Sequence, residues 1–131
     1  MGRSIRLTCN ECKKSFDLNI GQGISDNNVD TVLGHFEGST ADLLREKISI
    51  LGRESYWNYR SMIGYCGSCK SYVAIPTLTI VDNGKEYVTA GKCGCGSSCE
   101  LIDDNDDTRM KDIKCPKCNG TMTVEMTGMW D

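Results

Sequence analysis

Cysteine spacing constrains this 131-residue sequence more than any other feature. Six of its nine cysteines form three CxxC pairs, and the other three lie close together. The pairs are Cys9/Cys12, Cys66/Cys69 and Cys115/Cys118, and the cluster is Cys93, Cys95 and Cys99. A CxxC turn, called a knuckle below, places two thiolates on one side of a tight loop. Two knuckles together supply the four sulfur ligands of a tetrahedral metal ion.

The sequence favours a reducing compartment for these thiols. Residues 1–6 contain no apolar segment of the kind that a secretory signal requires, and no run of about 18 apolar residues could span a membrane. We therefore expect a cytoplasmic protein without membrane association. In the cytosol such patterns indicate metal sites rather than disulfides, and the odd number of thiols agrees, because disulfides would leave one over.

The cysteine pairs predict two structural Zn²⁺ sites, each with four thiolates. The expected ligands are Cys9, Cys12, Cys66, Cys69, Cys93, Cys95, Cys115 and Cys118. Iron also binds tetrahedral sulfur sites, and residues 115–120 (CPKCNG) resemble a rubredoxin knuckle. That knuckle normally has glycine directly after its second cysteine, where this chain has Asn119. Two zinc ions are therefore expected, with iron the less favoured metal.

Two arrangements of the knuckles satisfy this spacing. In the sequential arrangement, Cys9 and Cys12 share a metal with Cys66 and Cys69, and the later cysteines form the second site. In the interleaved arrangement, the first knuckle instead joins Cys115/Cys118, and the two middle cysteine clusters join each other. We favour the sequential arrangement, because elements that follow one another in sequence tend to be neighbours in space.

The Cys93 cluster leaves its ligands open. Cys93-Gly94-Cys95-Gly96 looks like a knuckle shortened by one residue, and its glycines would let the backbone turn tightly enough. Cys99 would then be the odd thiol, packed as a small hydrophobic residue. The alternative pairs Cys95 with Cys99 and leaves Cys93 free.

The composition predicts a small β-rich α+β fold that depends on metal. Hydrophobic residues make up 39% of the chain, with only two Phe and two Trp, so an apolar core alone would be thin. We expect two zinc ribbons with a helical insertion. Residues 1–75 would form the first ribbon, with the insertion at about 28–52, and residues 76–131 a β-hairpin and the second ribbon, the whole being one compact unit.

Local patterns predict the regular elements. Alternating apolar residues predict strands on both sides of the first knuckle, and Asn83-Gly84 predicts a type I′ hairpin turn. The main helix is expected over residues 39–51, with Ser39 in a capping box and Gly52 as the C-terminal cap. Its apolar face would consist of Leu44, Ile48 and Leu51.

Three further segments have weaker patterns. A short helix is expected at about residues 28–33. The acidic run at residues 103–107 (DDNDD) is predicted to be a solvated loop, and residues 126–131 a loosely held tail.

Catalysis is not expected. Four-cysteine sites leave no open coordination position, and the chain lacks the nucleophile, phosphate-binding and metalloprotease motifs. Its single histidine, His35, is interpreted as a residue without a special role, and no small-molecule substrate is indicated.

Charge favours a protein partner over nucleic acid. The formal net charge is −3; two Zn²⁺ add four positive charges and eight thiolates add eight negative ones, which gives −7 for the loaded chain. The leading hypothesis is a non-catalytic adaptor that binds another protein. The alternative is a zinc ribbon that binds RNA or acts in transcription, through a basic face with Arg45, Lys47, Arg53 and Arg60. A further alternative is a rubredoxin-like electron carrier or redox sensor.

An aromatic segment lies beside these basic residues. Tyr56, Trp57, Tyr59 and Tyr65 could stack on single-stranded nucleic acid, but large rings more often cover the core of a small domain, which is the interpretation favoured here.

The order of motifs resembles a loose group of bacterial double zinc-ribbon proteins. The shared elements are the CxxC at Cys9 followed by Phe16, the Gly21-Gln22-Gly23 loop, a helical insertion, the CxxC at Cys66, and the CxxC at Cys115 with Gly120 and Met122 nearby. This resemblance implies a double zinc-ribbon fold and brings no established activity. The chain departs from the pattern where glycine usually follows a knuckle, because Lys13 and Lys70 stand there. Less typical turns are expected at these two knuckles.

Overall fold

Antiparallel β-structure dominates the chain in a computed structural model that describes residues 2–130. The seven strands are β1 (Gly2–Cys9), β2 (Ser15–Gly21), β3 (Tyr56–Cys66), β4 (Ser71–Asp82), β5 (Lys85–Ala90), β6 (Glu100–Ile102) and β7 (Met122–Trp130). The helices are a 3-10 turn (Ile24–Asn27), α1 (Val29–Leu33), α2 (Gly38–Ser49) and α3 (Asp107–Lys111). This composition agrees with the β-rich fold that the sequence predicts.

The strands form one antiparallel sheet in the order β5-β4-β3-β2-β1-β7. Strand β6 lies outside this order and pairs with residues 63–65 of β3. Pairing is extensive between β1 and both of its neighbours, and between β3 and β4. By contrast, β2 and β3 share the single partner pair Gly21↔Ser61. The sheet therefore consists of a terminal strand group (β1, β2 and β7) and a central strand group (β3 to β6) with a weak seam between them.

Side chains hold this seam together. Tyr72 of β4 packs edge-on against Phe16 of β2 with ring centroids 5.6 Å apart, and its hydroxyl donates to the Lys114 carbonyl at 2.7 Å. Ile63 and Leu7, one from each strand group, are fully buried in the same apolar cluster. Burial across the seam thus replaces most of the backbone hydrogen bonds that a continuous sheet would have.

A second apolar cluster lies under α1 and α2. Its buried members are Val32, Leu33, Leu44, Tyr59, Leu78 and Ile80. Ile48 and Leu51 also pack against it, so the three residues predicted to form the apolar face share this cluster, although Leu51 lies just beyond the end of the helix. The insertion between the first two knuckles covers the central strands on this side.

The ends of the main helix differ from the prediction. Helix α2 begins at Gly38, and its N-cap residue Glu37 makes no side-chain capping bond. The predicted capping box at Ser39 is wrong, and the C-cap residue is Ile50 rather than Gly52. The short helix α1 does have a side-chain cap, because the Asn28 Oδ1 accepts from two backbone N–H groups.

The hairpin between β4 and β5 has the predicted turn. Asn83 and Gly84 both have positive φ angles, 52° and 81°, as a type I′ turn requires. The prediction of a loose tail at residues 126–131 is wrong over its described part, because β7 extends to Trp130 and pairs with β1 along its length. Asp131 lies outside the described residues.

The acidic run is not simply a solvated loop. The Asp104 side chain is only 4% exposed and bridges Arg3 and Arg60, one arginine from each strand group. Asp106 caps α3 by accepting from the Arg109 N–H at 3.1 Å. The run therefore contains one residue that ties the two strand groups together and one that begins a helix.

Candidate metal centres

The structure brings eight cysteines into two groups of four. The terminal group is Cys9, Cys12, Cys115 and Cys118, and the central group is Cys66, Cys69, Cys93 and Cys95. Within each group all four sulfur atoms lie within 4.8 Å of one another, so each could hold a metal ion. These are the eight cysteines that the sequence predicts as metal ligands, and Cys99 belongs to neither group.

The favoured sequential pairing is wrong, and the groups follow the interleaved arrangement. The reason lies in the sheet, because β7 pairs with β1 and brings the last knuckle beside the first. Likewise β6 pairs with β3, which brings the segment before it back to the second knuckle. The predicted division at residue 75 relied on the sequential pairing, and β4 crosses that position without interruption.

Sulfur separations in both groups fit a tetrahedral metal. In the terminal group Cys9 and Cys118 are 3.4 Å apart and Cys12 and Cys115 3.6 Å apart. The corresponding distances in the central group are 3.6 Å and 3.8 Å. A tetrahedron with bonds of about 2.3 Å has edges of about 3.8 Å, whereas sulfurs in a disulfide are about 2.05 Å apart. The groups thus have the spacing of metal thiolates, and zinc fits this donor set.

Every knuckle turns through a residue with positive φ directly after its second cysteine. These residues are Lys13 (65°), Lys70 (52°), Gly96 (88°) and Asn119 (62°). The expectation of less typical turns at the two lysines is wrong, because they adopt the conformation that glycine provides elsewhere. For lysine this conformation costs free energy, since its Cβ approaches the following carbonyl.

The CxC turn is a knuckle with one residue fewer, as the sequence predicts. In the last knuckle the Asn119 N–H donates to the Cys115 carbonyl, and the Cys115 N–H donates to Gly120, both at 2.8 Å. In the shorter turn the Gly96 N–H donates to the Cys93 carbonyl at 2.8 Å, and the Cys93 N–H donates to the Ser97 carbonyl at 3.0 Å. The same pair of hydrogen bonds therefore closes both turns and aims two thiols to one side.

Backbone N–H groups stabilise negative charge on the sulfurs. The N–H groups of Cys12 and Glu11 each donate to the Cys9 Sγ at 3.4 Å, and the first of these does most to lower the pKa of Cys9 to about 6. Hydrogen bonds from Ser97, first from its side chain and then from its backbone, lower the pKa of Cys95 to about 6. These donors favour the thiolates that a metal requires.

Other sulfurs hold their protons in the absence of metal. Hydrogen bonding to the neighbouring Cys95, followed by Cys93 and Cys66, raises the pKa of Cys69 to about 12. A cluster of four thiols cannot place four negative charges side by side without a cation, so some protons remain. Metal binding must displace these protons, and metal affinity will fall as the pH falls.

Burial is distributed identically in the two groups. In each cysteine pair the first residue is buried and the second is exposed. A metal would lie at the protein surface, anchored by two core sulfurs and covered by two outer ones. Because four sulfurs complete a tetrahedral shell, neither group leaves a coordination position for a substrate.

His35 contributes to neither cysteine group. Its Nε2 lies 3.1 Å from the Asp26 Oδ1, and its ring stacks on Tyr59 with centroids 5.1 Å apart. Asp26 is 3% exposed, and its other oxygen accepts from the Gly23 N–H at 2.8 Å. Burial, followed by the charge of Asp26, raises the pKa of Tyr59 to about 12. His35 is thus a structural partner of a buried carboxylate, a role that the sequence did not indicate.

The predicted basic face is largely engaged within the protein. Arg45 pairs with Asp30 at 2.7 Å, and Arg60 pairs with Asp104. The Lys47 Nζ lies 5.5 Å from the centroid of the Tyr87 ring. In the neighbouring aromatic segment Tyr59 is buried and Trp57 and Tyr65 pack against the two apolar clusters, as predicted, whereas Tyr56 is 59% exposed. Two of the four predicted basic residues, Arg45 and Arg60, thus have their charge paired with a carboxylate.

Comparisons with known proteins add no relative: the family models, the curated proteins and the solved structures searched contain no match to this chain. None of the helices between residues 2 and 130 combines the length and apolar character needed to cross a membrane.

Proposed function

We propose that this chain is a non-catalytic zinc protein whose two Cys₄ sites stabilise its fold and whose surface binds another protein. The observation that carries the metal part is the clustering of four sulfurs in each group, all within 4.8 Å of one another and with two separations per group between 3.4 and 3.8 Å. Both are complete shells, so the bound ions act structurally, and the free energy of metal binding becomes free energy of folding.

Native mass spectrometry of the protein purified without chelator tests the metal part. We expect two zinc ions per chain, and elemental analysis should find zinc rather than iron. A single bound metal, or a red protein containing iron, would contradict the proposal. Iron would favour the rubredoxin-like alternative instead.

An exposed apolar surface supports the adaptor part. Ile50 at the end of α2 is 77% exposed, and Tyr87 on β5 is 47% exposed. Both line a cavity of about 280 Å³ between the end of the helix and the strand. Exposed apolar side chains around a shallow cavity are typical of protein-binding sites. The negative charge of the loaded chain and the paired arginines make a nucleic-acid partner the less supported alternative.

The adaptor part is tested by affinity purification from native cells with matched baits. The wild-type chain is compared with Ile50→Asp. This variant should retain both metals, because the Ile50 side chain is exposed and belongs to neither cysteine group. We expect the wild-type bait to recover a protein that the variant bait does not recover. That protein, once purified, should bind the wild-type chain directly. A salt-dependent gel shift with single-stranded RNA, unchanged by Ile50→Asp, would support the nucleic-acid alternative instead.

A further inference from the structure

The central group has a fifth thiol beside it. Eight of the nine cysteines belong to the two groups, and the ninth is Cys99. Strand β6 begins one residue later, where Glu100 pairs with Tyr65 of β3. Continuing this antiparallel register by one residue places Cys99 opposite Cys66, a member of the central group. Opposite residues in antiparallel strands have Cα atoms about 4.5 to 5.5 Å apart, so the two thiols share one face of the sheet.

The packing of β3 gives Cys99 room for this approach. Gly64 lies two residues before Cys66, on the same face of the strand, and a Cβ built on it would lie 3.2 Å from the Cys99 Cβ. Cys99 is therefore a partly buried thiol packed against the face of β3 that carries Cys66.

The outer sulfur of the CxC turn belongs to an exposed residue. Cys95 is exposed and stands between Gly94 and Gly96. An added Cβ at either glycine would meet no atom within 4 Å, so this turn projects into open space. The terminal group has no spare cysteine. The eight grouped residues and Cys99 are all the cysteines of the chain, and Cys99 lies beside the central group.

We infer that Cys99 is a reserve ligand of the central metal site, which takes the coordination position of Cys95 when that exposed sulfur is lost. The replacement set would be Cys66, Cys69, Cys93 and Cys99, which is again four thiolates. The inference rests on the proposed function, because it requires that the central group binds a metal. It makes the two sites unequal: loss of the Cys95 thiol would leave the central site filled, whereas loss of an outer thiol of the terminal group would empty the terminal site.

Alanine variants of matched outer cysteines test this inequality. Cys95→Ala removes the outer sulfur of the CxC turn, and Cys118→Ala removes the corresponding exposed sulfur of the terminal group. Zinc stoichiometry is measured by native mass spectrometry, and Co²⁺ replaces zinc for absorption spectra that report the number of thiolate ligands. We expect two metals in Cys95→Ala with an unchanged thiolate-to-cobalt band, and one metal in Cys118→Ala. The double variant Cys95→Ala/Cys99→Ala should bind one metal.

Each outcome is decisive. Loss of one metal from Cys95→Ala would overturn the inference, and so would retention of two metals in the double variant, since another ligand would then complete the site. Neither result would affect the metal part of the proposed function, which is tested on the wild-type chain. Cys99→Ala alone should keep both metals, which confirms that Cys99 is not a ligand in the intact site.

Discussion

The sulfur atoms of Cys9 and Cys118 lie 3.4 Å apart although 109 positions separate the two residues in the sequence. This contact joins the strand that begins the described chain to the strand that ends it, since β1 and β7 pair directly beyond the two knuckles. The terminal strand group meets the rest of the sheet through one backbone pair. A metal in the terminal group would therefore act within a strand group that has few backbone ties to the rest of the sheet.

Loss of the terminal metal should loosen one strand group selectively. In Cys118→Ala we expect hydrogen exchange to accelerate in β1 and β7, while β3 and β4 remain protected, because their pairing and the central group are unchanged. Hydrogen–deuterium exchange with mass spectrometry measures both regions in one sample. Equal acceleration throughout the sheet would show that the seam transmits the loss and that the strand groups unfold as one.

Full removal of metal should unfold most of the chain. A chelator in excess takes both ions, and the thin apolar core then has to stabilise the sheet alone. We expect the circular dichroism spectrum to lose most of its β-signal, and zinc in excess to restore it. An unchanged spectrum and melting curve in chelator would contradict the structural role of the ions.

Glycine at the two lysine turns should stabilise the protein. Lys13 and Lys70 have φ angles of 65° and 52°, and relief of this strain is worth about 1 kcal/mol for each site. We expect Lys13→Gly and Lys70→Gly to raise the denaturation midpoint of the metal-loaded protein. Lys13→Ala serves as the control, because it removes the same charge and keeps the strain. A gain of equal size in this control would assign the effect to charge.

Gly64→Ala should destabilise the central group. An added Cβ would lie 2.5 Å from the Ile75 Cγ1 and 3.2 Å from the Cys99 Cβ, so the strand or its neighbours must shift. Overpacking of this kind costs about 1–3 kcal/mol. Gly67→Ala is the matched control in the adjoining knuckle, where no atom lies within 4 Å of the new Cβ. Chemical denaturation of both variants measures the difference, and equal stabilities would contradict the tight packing at Gly64.

Asp104→Asn should weaken the seam between the strand groups. The carboxylate is 4% exposed and binds Arg3 and Arg60, so its loss leaves two arginines without their shared partner. Hydrogen bonds to charged groups contribute about 1.5–3 kcal/mol. The control is Asp17→Asn, which breaks the exposed pair with Arg6 and should cost less than about 1 kcal/mol. Urea unfolding compares the two, and a smaller loss at Asp104 than at Asp17 would contradict the assignment.

Features formed by residues close together in the chain could be predicted from the sequence, whereas the pairing of distant strands and knuckles could not. The knuckles, the Asn83-Gly84 turn and the apolar face of α2 depend on residues close together in the chain, and all three are present. The choice between sequential and interleaved groups depends on whether β7 pairs with β1, and both arrangements give every knuckle a partner. The end of β7, predicted as a loose tail from residue 126, escaped prediction because it lies at the sheet edge, where Met126 and Met129 are more than half exposed and give no clear alternation.

The remaining differences also have contextual causes. Helix α2 starts without a side-chain cap because packing of Leu44 into the second cluster supports it, whatever its first residues are. Asp104 lies in a run that composition alone describes as solvated, and only the fold brings Arg3 and Arg60 to it. His35 likewise acquires its role from Asp26, nine positions earlier.

The different spans of the two cysteine groups impose an order on their completion during synthesis. Cys66 and Cys95 are 29 positions apart, whereas Cys12 and Cys115 are 103 apart. A ribosome delivers the whole central group while the last knuckle is still untranslated, so the central site can load first. The first knuckle must then wait as an unpaired dithiol until Cys115 and Cys118 have been synthesised. The nascent chain is therefore most vulnerable to oxidation at Cys9 and Cys12.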